Sequence, residues 1–126
     1  DLPGAGQMQY LRYLIESRPM FDRVPDQGLI TDALGANDRI QATRGNDYAF
    51  IYSAQGKKFT VNTGKISGKE IVVYWYNPKN GEVKEVGKVP KTAKQEFTPP
   101  SSGYGFDWVL VIDDAAKNYP SPGKVK

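Results

Sequence analysis

The chain has 126 residues, which is enough for one domain with one hydrophobic core. Its 39% hydrophobic and 12% aromatic content is typical of a folded domain, and 13 glycines and 9 prolines favour a turn-rich all-β architecture. The net charge of +3 is dispersed along the chain, so it does not indicate a nucleic-acid partner. The sequence contains neither cysteine nor histidine, which excludes disulfides, zinc sites built on these residues, and catalytic triads or dyads that need them.

The first predicted element is an amphipathic helix over Gly6–Ser17. Apolar side chains fill one broad arc of this helix at about 100° per residue: Met8, Tyr10, Leu11, Leu14 and Ile15. Pro19 ends the helix, because a residue that precedes proline is biased away from helical geometry. Two interpretations stay open: the helix packs on its own domain, or it is the last helix of a preceding domain.

A connector follows the helix at Pro19–Gly28, where two prolines interrupt any periodicity. Its apolar residues Met20, Phe21 and Val24 predict that it lies against another surface. We therefore divide the chain into a helix at 1–18, a linker at 19–28, a β domain at 29–114 and a solvated basic tail at 115–126.

From residue 29 onward the hydrophobic pattern changes to a period of two, which predicts short strands. These are Leu29–Thr31, Arg39–Arg44, Tyr48–Ser53, Lys58–Asn62, Lys69–Tyr76, Glu82–Val89, Lys94–Thr98 and Asp107–Asp113. Because no helix separates them, we expect antiparallel pairing in two packed sheets. The predicted fold class is all-β: an antiparallel β-sandwich of about seven to eight strands, preceded by one short N-terminal helix.

The strongest local signal is a β-hairpin over Glu70–Val86. Pro78 presets the turn, and the Asn80-Gly81 pair tolerates positive φ. The adjacent aromatic residues Tyr74–Tyr76 must place large rings on both faces of one sheet, since consecutive strand residues point in opposite directions. One face is then core, and the other is either covered by a partner or offered to a ligand.

The candidate chemistry is limited to carboxylates, and these lie mainly in linkers, turns and strand ends, where aspartate bonds local backbone. Asp113 and Asp114 could contribute oxygen ligands to a calcium site, but a charged strand end is the favoured explanation. We expect no catalytic residue, no metal site and no cofactor. The candidate ligand-binding residues are Tyr74, Tyr76 and Tyr104, because aromatic rings beside polar groups hold sugar faces. Core or interface positions are the alternative for these rings.

Four segments together resemble one known family. They are GQMQYLRYLIESRPMFDRVPDQGLI, DRIQATRGNDYAFIYSAQGKKFTVN, YWYNPKNGEV and DWVLVIDD. In order and spacing they are similar to the C-terminal β-sandwich domain of bacterial glycoside-hydrolase-like proteins, described as the "putative collagen-binding domain of a collagenase". In that family a (β/α)₈ barrel precedes the sandwich.

The resemblance implies that the N-terminal helix closes the missing barrel and that the catalytic carboxylates belong to the barrel. The chain would then be a non-catalytic accessory module whose first role is to pack on the barrel; a second, optional role is polysaccharide binding through Tyr74, Tyr76 or Tyr104. The residues expected at the interdomain contact are Met8, Leu11, Ile15, Met20, Phe21 and Val24. The expected location is secreted or cell-envelope, with no membrane span. The alternative function is a collagen or extracellular-matrix adhesin module.

Overall fold

The structure of the protein, a computed structural model, describes residues 12–18, 23–30, 40–53, 58–79, 81–100, 108–119 and 122. Helix α1 occupies residues 12–16, and eight strands follow it. The strands are β1 (Val24–Pro25), β2 (Ile40–Arg44), β3 (Tyr48–Ser53), β4 (Phe59–Val61), β5 (Glu70–Tyr76), β6 (Val83–Pro90), β7 (Gln95–Phe97) and β8 (Trp108–Asp114). Short 3₁₀ turns lie at Gln27–Leu29, Thr63–Lys65 and Ala115–Lys117.

Two antiparallel sheets form the sandwich. Six strands make the larger sheet in the order β1-β2-β3-β8-β5-β6, and β4 pairs with β7 in a two-stranded sheet. The last described strand, β8, therefore lies at the centre of the larger sheet and is buried along its whole length. The predicted all-β sandwich is confirmed.

The strand pattern differs from the prediction at the start of the β domain. Val24–Pro25, expected in a linker, pairs with β2 as a short edge strand, where a proline that lacks an N–H is tolerated. Leu29 instead ends a 3₁₀ turn, and the expected strand there is reduced to a single bridge between Ile30 and Val61. The sheet therefore begins before residue 29.

The predicted hairpin is confirmed by the pairing of β5 with β6. In its turn, the Asn77 N–H donates to the Glu82 carbonyl at 2.8 Å, and the Gly81 N–H donates to the Asn77 carbonyl at 2.8 Å. The Asn77 side chain accepts from the Lys79 N–H at 2.9 Å, and Gly81 has a φ of 76°. The turn thus uses the positive φ that glycine adopts without steric cost.

Strand alternation divides the apolar residues into two clusters on opposite faces of the larger sheet. The first cluster fills the space between the sheets: Leu29, Ala42, Ala49, Ile51, Phe59, Val61, Ile66, Ile71, Val73, Trp75, Phe97, Trp108, Leu110 and Ile112. The second lies on the other face: Leu14, Tyr48, Phe50, Tyr74, Tyr76, Val109 and Val111. The sheet therefore has two buried faces, and α1 contributes Leu14 to the second.

The two ends of the described chain meet on this second face. Leu14 of α1 is 2% exposed, and Tyr119, after the last 3₁₀ turn, packs against the same cluster. Within the predicted tail 115–126, residues 116–118 are exposed, whereas Tyr119 is half-buried against the second face; most of the remaining tail lies outside the described residues. Described segments from both ends of the chain thus cover part of the second face, and both interpretations of the helix stay open.

Candidate functional site

The rings predicted to bind ligand are buried in the second cluster. Tyr74 is 7% exposed and Tyr76 is 1% exposed, so the expectation that these rings reach solvent is wrong. Burial raises the pKa of Tyr74 above its usual range, and the nearby charges of Asp113 and Glu85 add to the effect. The third ring, Tyr104, lies outside the described residues. Neither described ring presents a face to a sugar.

A buried ion pair joins α1 to the central strand. Arg18 donates from Nε to Asp113 Oδ1 at 2.9 Å and from Nη2 to Oδ2 at 2.7 Å. Their side chains are 0% and 3% exposed. Burial raises the pKa of Asp113, while the Arg18 guanidinium opposes this rise. A bidentate pair of this kind fixes both distance and orientation, so it sets where α1 lies on the sheet.

The C-terminal segment closes over this pair. The Arg18 guanidinium lies 4.9 Å from the centre of the Tyr119 ring, and the Tyr119 hydroxyl donates to Asp47 Oδ1 at 2.7 Å. Burial, followed by the hydrogen bond to Asp47, raises the pKa of Tyr119 well above its usual value. Lys117 adds a long ion pair to Asp47 at 3.8 Å. Cation–π contact and hydrogen bonding thus hold the last described segment against α1.

A second arginine connects α1 to β3. Arg23 donates from Nε to the Tyr48 hydroxyl at 2.7 Å and from Nη2 to the Ile15 carbonyl at 2.8 Å. Its guanidinium lies 5.4 Å from the Tyr48 ring centre and 5.1 Å from that of Phe50. Cations near a helix C-terminus satisfy carbonyls that lack partners within the helix. Arg23 therefore ties the end of α1 to the aromatic surface of the sheet.

An open apolar cleft remains between α1 and the larger sheet, with a volume of about 210 Å³. Its apolar walls are Leu14, Ile15, Phe50 and Val109, and its polar atoms come from Arg23, Thr43 and Tyr52. Ile15 stands at its edge and is 39% exposed. We call these seven residues the α1 cleft.

The acidic residues at the end of β8 have structural partners. Asp113 pairs with Arg18, and Asp114 accepts from the Ser67 hydroxyl at 2.7 Å and from the Ala116 N–H at 3.0 Å. Within the described ranges, no cluster of acidic side chains has the arrangement of a metal site. Asp113 and Asp114 therefore hold α1, the 67–68 loop and the last 3₁₀ turn to the sheet.

Asp26 is the centre of a smaller network at the edge of the sheet. It accepts from Arg44 Nε at 2.6 Å, from Lys65 Nζ at 3.1 Å and from the Gly28 N–H at 3.0 Å. The hydrogen bond from Arg44, followed by that from Lys65, lowers the pKa of Asp26 against the opposing effect of burial. This network fixes the chain that leads from β1 to β2.

The predicted interdomain residues fall into two groups. Met8, Leu11, Met20 and Phe21 lie outside the described residues. Ile15 is 39% exposed and Val24 is 46% exposed, so both side chains remain accessible in the described structure. The sequence interpretation did not include Arg18 or Arg23. A signal was present, because two arginines beside a predicted helix end can bond its terminal carbonyls.

The fold and these contacts define a β-sandwich module whose described polar clusters hold its own segments together. No helix in the described residues is long and apolar enough to cross a membrane. Residues 24–113 match the family described as "Putative collagen-binding domain of a collagenase", and the chain belongs to this family. The N-terminal boundary of the match coincides with the start of β1.

Two solved structures resemble the chain over most of its length. One, described as "Glycoside hydrolase", is 38% identical with a TM-score of 0.88, and the match covers 94% of this chain and 27% of that one. A glycoside hydrolase family 5 from Bacteroides vulgatus ATCC 8482 is 37% identical with a TM-score of 0.88, covering 94% and 26% of the two chains. The chain thus spans about a quarter of these structures. No curated protein matches it.

Proposed function

We propose that this chain is a non-catalytic accessory module of a larger glycoside hydrolase, and that its main role is to pack on the catalytic barrel of the same polypeptide. The observation that carries the proposal is the match of 94% of this chain to about a quarter of two glycoside hydrolase chains. The positions of the described acidic residues support the non-catalytic part. Asp113 and Asp114 bond to Arg18, Ser67 and the backbone rather than facing each other across a groove.

The burial of Tyr74 and Tyr76 favours a packing role over direct sugar binding. A polysaccharide contact made by the module itself would have to use Tyr104 or a surface away from these two rings. We propose a secreted or cell-envelope location, which the family to which the chain belongs implies.

The first test compares this chain with the complete polypeptide that its gene encodes. We expect a glycoside-hydrolase domain in the same polypeptide, glycoside turnover by the complete protein and none by residues 1–126 alone. Turnover by the isolated chain would contradict the non-catalytic assignment. A coding sequence without a hydrolase domain would contradict the accessory role.

Collagen binding is the second candidate, and the description of the matching family is the observation that favours it. The test is a collagen pull-down beside a glycan array on the native chain, with the heat-unfolded chain as the control. Tyr76→Ala should not be used as a binding variant, because removing a buried aromatic side chain costs about 3–5 kcal/mol of unfolding free energy. Its loss of binding would therefore report unfolding.

A further inference from the structure

The α1 cleft is open, whereas the neighbouring rings of Tyr48, Tyr74 and Tyr76 on the same face of the sheet are buried. Ile15 at its edge keeps 39% of its surface exposed, whereas Leu14, one residue earlier, is only 2% exposed. Two further apolar residues that line it, Phe50 and Val109, are 8% and 2% exposed. A single exposed isoleucine is common on protein surfaces, but this one borders a concave apolar site.

Two arginines hold the helix side of the cleft to the sheet. Arg18 fixes α1 to β8 through the bidentate pair with Asp113, and Arg23 bonds both the Ile15 carbonyl and the Tyr48 hydroxyl. Collapse of α1 onto the sheet would have to break these contacts. A site held open in this way loses little conformational freedom when it is filled, which favours binding.

The chemistry of the cleft selects an apolar occupant. Its volume of about 210 Å³ is enough for one large side chain, and most of its lining residues are hydrocarbon or aromatic. A sugar ring would leave many hydroxyls without partners there, and an unpaired buried hydroxyl is costly. A leucine or phenylalanine side chain has no polar group that could be left without a partner, and a tryptophan side chain has only one.

We propose that the α1 cleft is the docking point for the glycoside-hydrolase domain of the same polypeptide, and that it receives one large apolar side chain from that domain. This inference rests on the proposed function. In the two similar glycoside hydrolases, the part that matches this chain makes up only 26–27% of the polypeptide. The rest of such a polypeptide would supply the side chain that fills the cleft. Buried apolar anchors at the centre of a contact dominate its energy.

Hydroxyl-radical footprinting of residues 1–126 and of the complete polypeptide tests the proposal. In the complete polypeptide, labelling of Ile15 should fall about fourfold, because a side chain that is 39% exposed becomes buried in the contact. Tyr52 should be protected as well. Val86, which is 54% exposed on the edge strand β6, is the internal control and should label equally in both.

A filled-cleft variant provides the second measurement. Thr43→Arg places a long charged side chain at the cleft, and Thr98→Arg makes the same change at an exposed position after β7. In calorimetry of the complete polypeptide, Thr43→Arg should separate the unfolding of the two domains, and Thr98→Arg should not. Both variants of residues 1–126 should remain folded, with a Tm within about 4 °C of the native chain.

Several results would overturn the proposal. Equal labelling of Ile15 in both proteins, with glycoside turnover intact in the complete polypeptide, would reject the docking point and leave the proposed function standing. Concentration-dependent protection of Ile15 in residues 1–126 alone would identify a second copy as the occupant instead. A gene without a hydrolase domain would reject both proposals.

Discussion

Replacing Arg18 by methionine should test how α1 is held, because it removes one half of a fully buried ion pair. The carboxylate of Asp113, 3% exposed, would lose both hydrogen bonds from the guanidinium. Removing one member of a buried pair costs about 3–5 kcal/mol, out of a total unfolding free energy of about 5–15 kcal/mol. For a domain of this size, that corresponds to a fall in Tm of roughly 10–20 °C.

The loss of unfolding free energy in Arg18→Met should also depend on pH. Burial raises the pKa of Asp113, and the variant lacks the guanidinium that opposes this rise. A folded-state pKa above the unfolded value means that the folded protein binds a proton that the unfolded chain releases, so stability falls as the pH rises through the folded-state pKa. The variant should therefore be least destabilised, relative to the native chain, at acid pH.

The assay is chemical denaturation of Arg18→Met, Asp113→Ala and the double variant at several pH values. We expect the double variant to be more stable than the sum of the single losses predicts, with a coupling energy of about 2 kcal/mol or more. Single losses below about 1 kcal/mol that simply add would refute the reasoning, since they would show that the pair contributes no more than an exposed ion pair.

Two further predictions concern loops. Asp26→Asn should lower the unfolding free energy by about 1–2 kcal/mol at neutral pH through the weakened bond from Arg44. The folded-state pKa of Asp26 lies below its ordinary value of 3.8. The difference in unfolding free energy between Asp26→Asn and the native chain should therefore disappear as the pH falls through the folded-state pKa. A difference that stays constant with pH in denaturation curves would contradict this prediction. Gly68→Ala should cost about 1–3 kcal/mol, because φ is +97° and the new Cβ would overlap the Asp114 carboxylate. Gly87→Ala is the control, because φ is +125° there and the space around the new Cβ is open. Equal losses of Tm in the two variants would contradict a contribution from overlap with the Asp114 carboxylate.

The strands could be predicted because their signals are local. Alternation assigned Trp75 to one face and Tyr74 and Tyr76 to the other, and the structure has them in the first and second clusters. The hairpin could be predicted for the same reason, because the backbone preferences of the turn residues between β5 and β6 favour a tight turn. The short edge strand β1 was missed, because two residues with a proline carry no periodic pattern.

The sequence by itself determined that this chain is a β-sandwich with apolar residues on both faces of its main sheet. Only the tertiary structure decided what covers the second face, and with it the exposure of the predicted ligand-binding rings. The contact that decides it joins Arg18 to Asp113, which are 95 residues apart. Side-chain alternation tells which face a residue occupies, but it carries no information about which distant segment packs on that face.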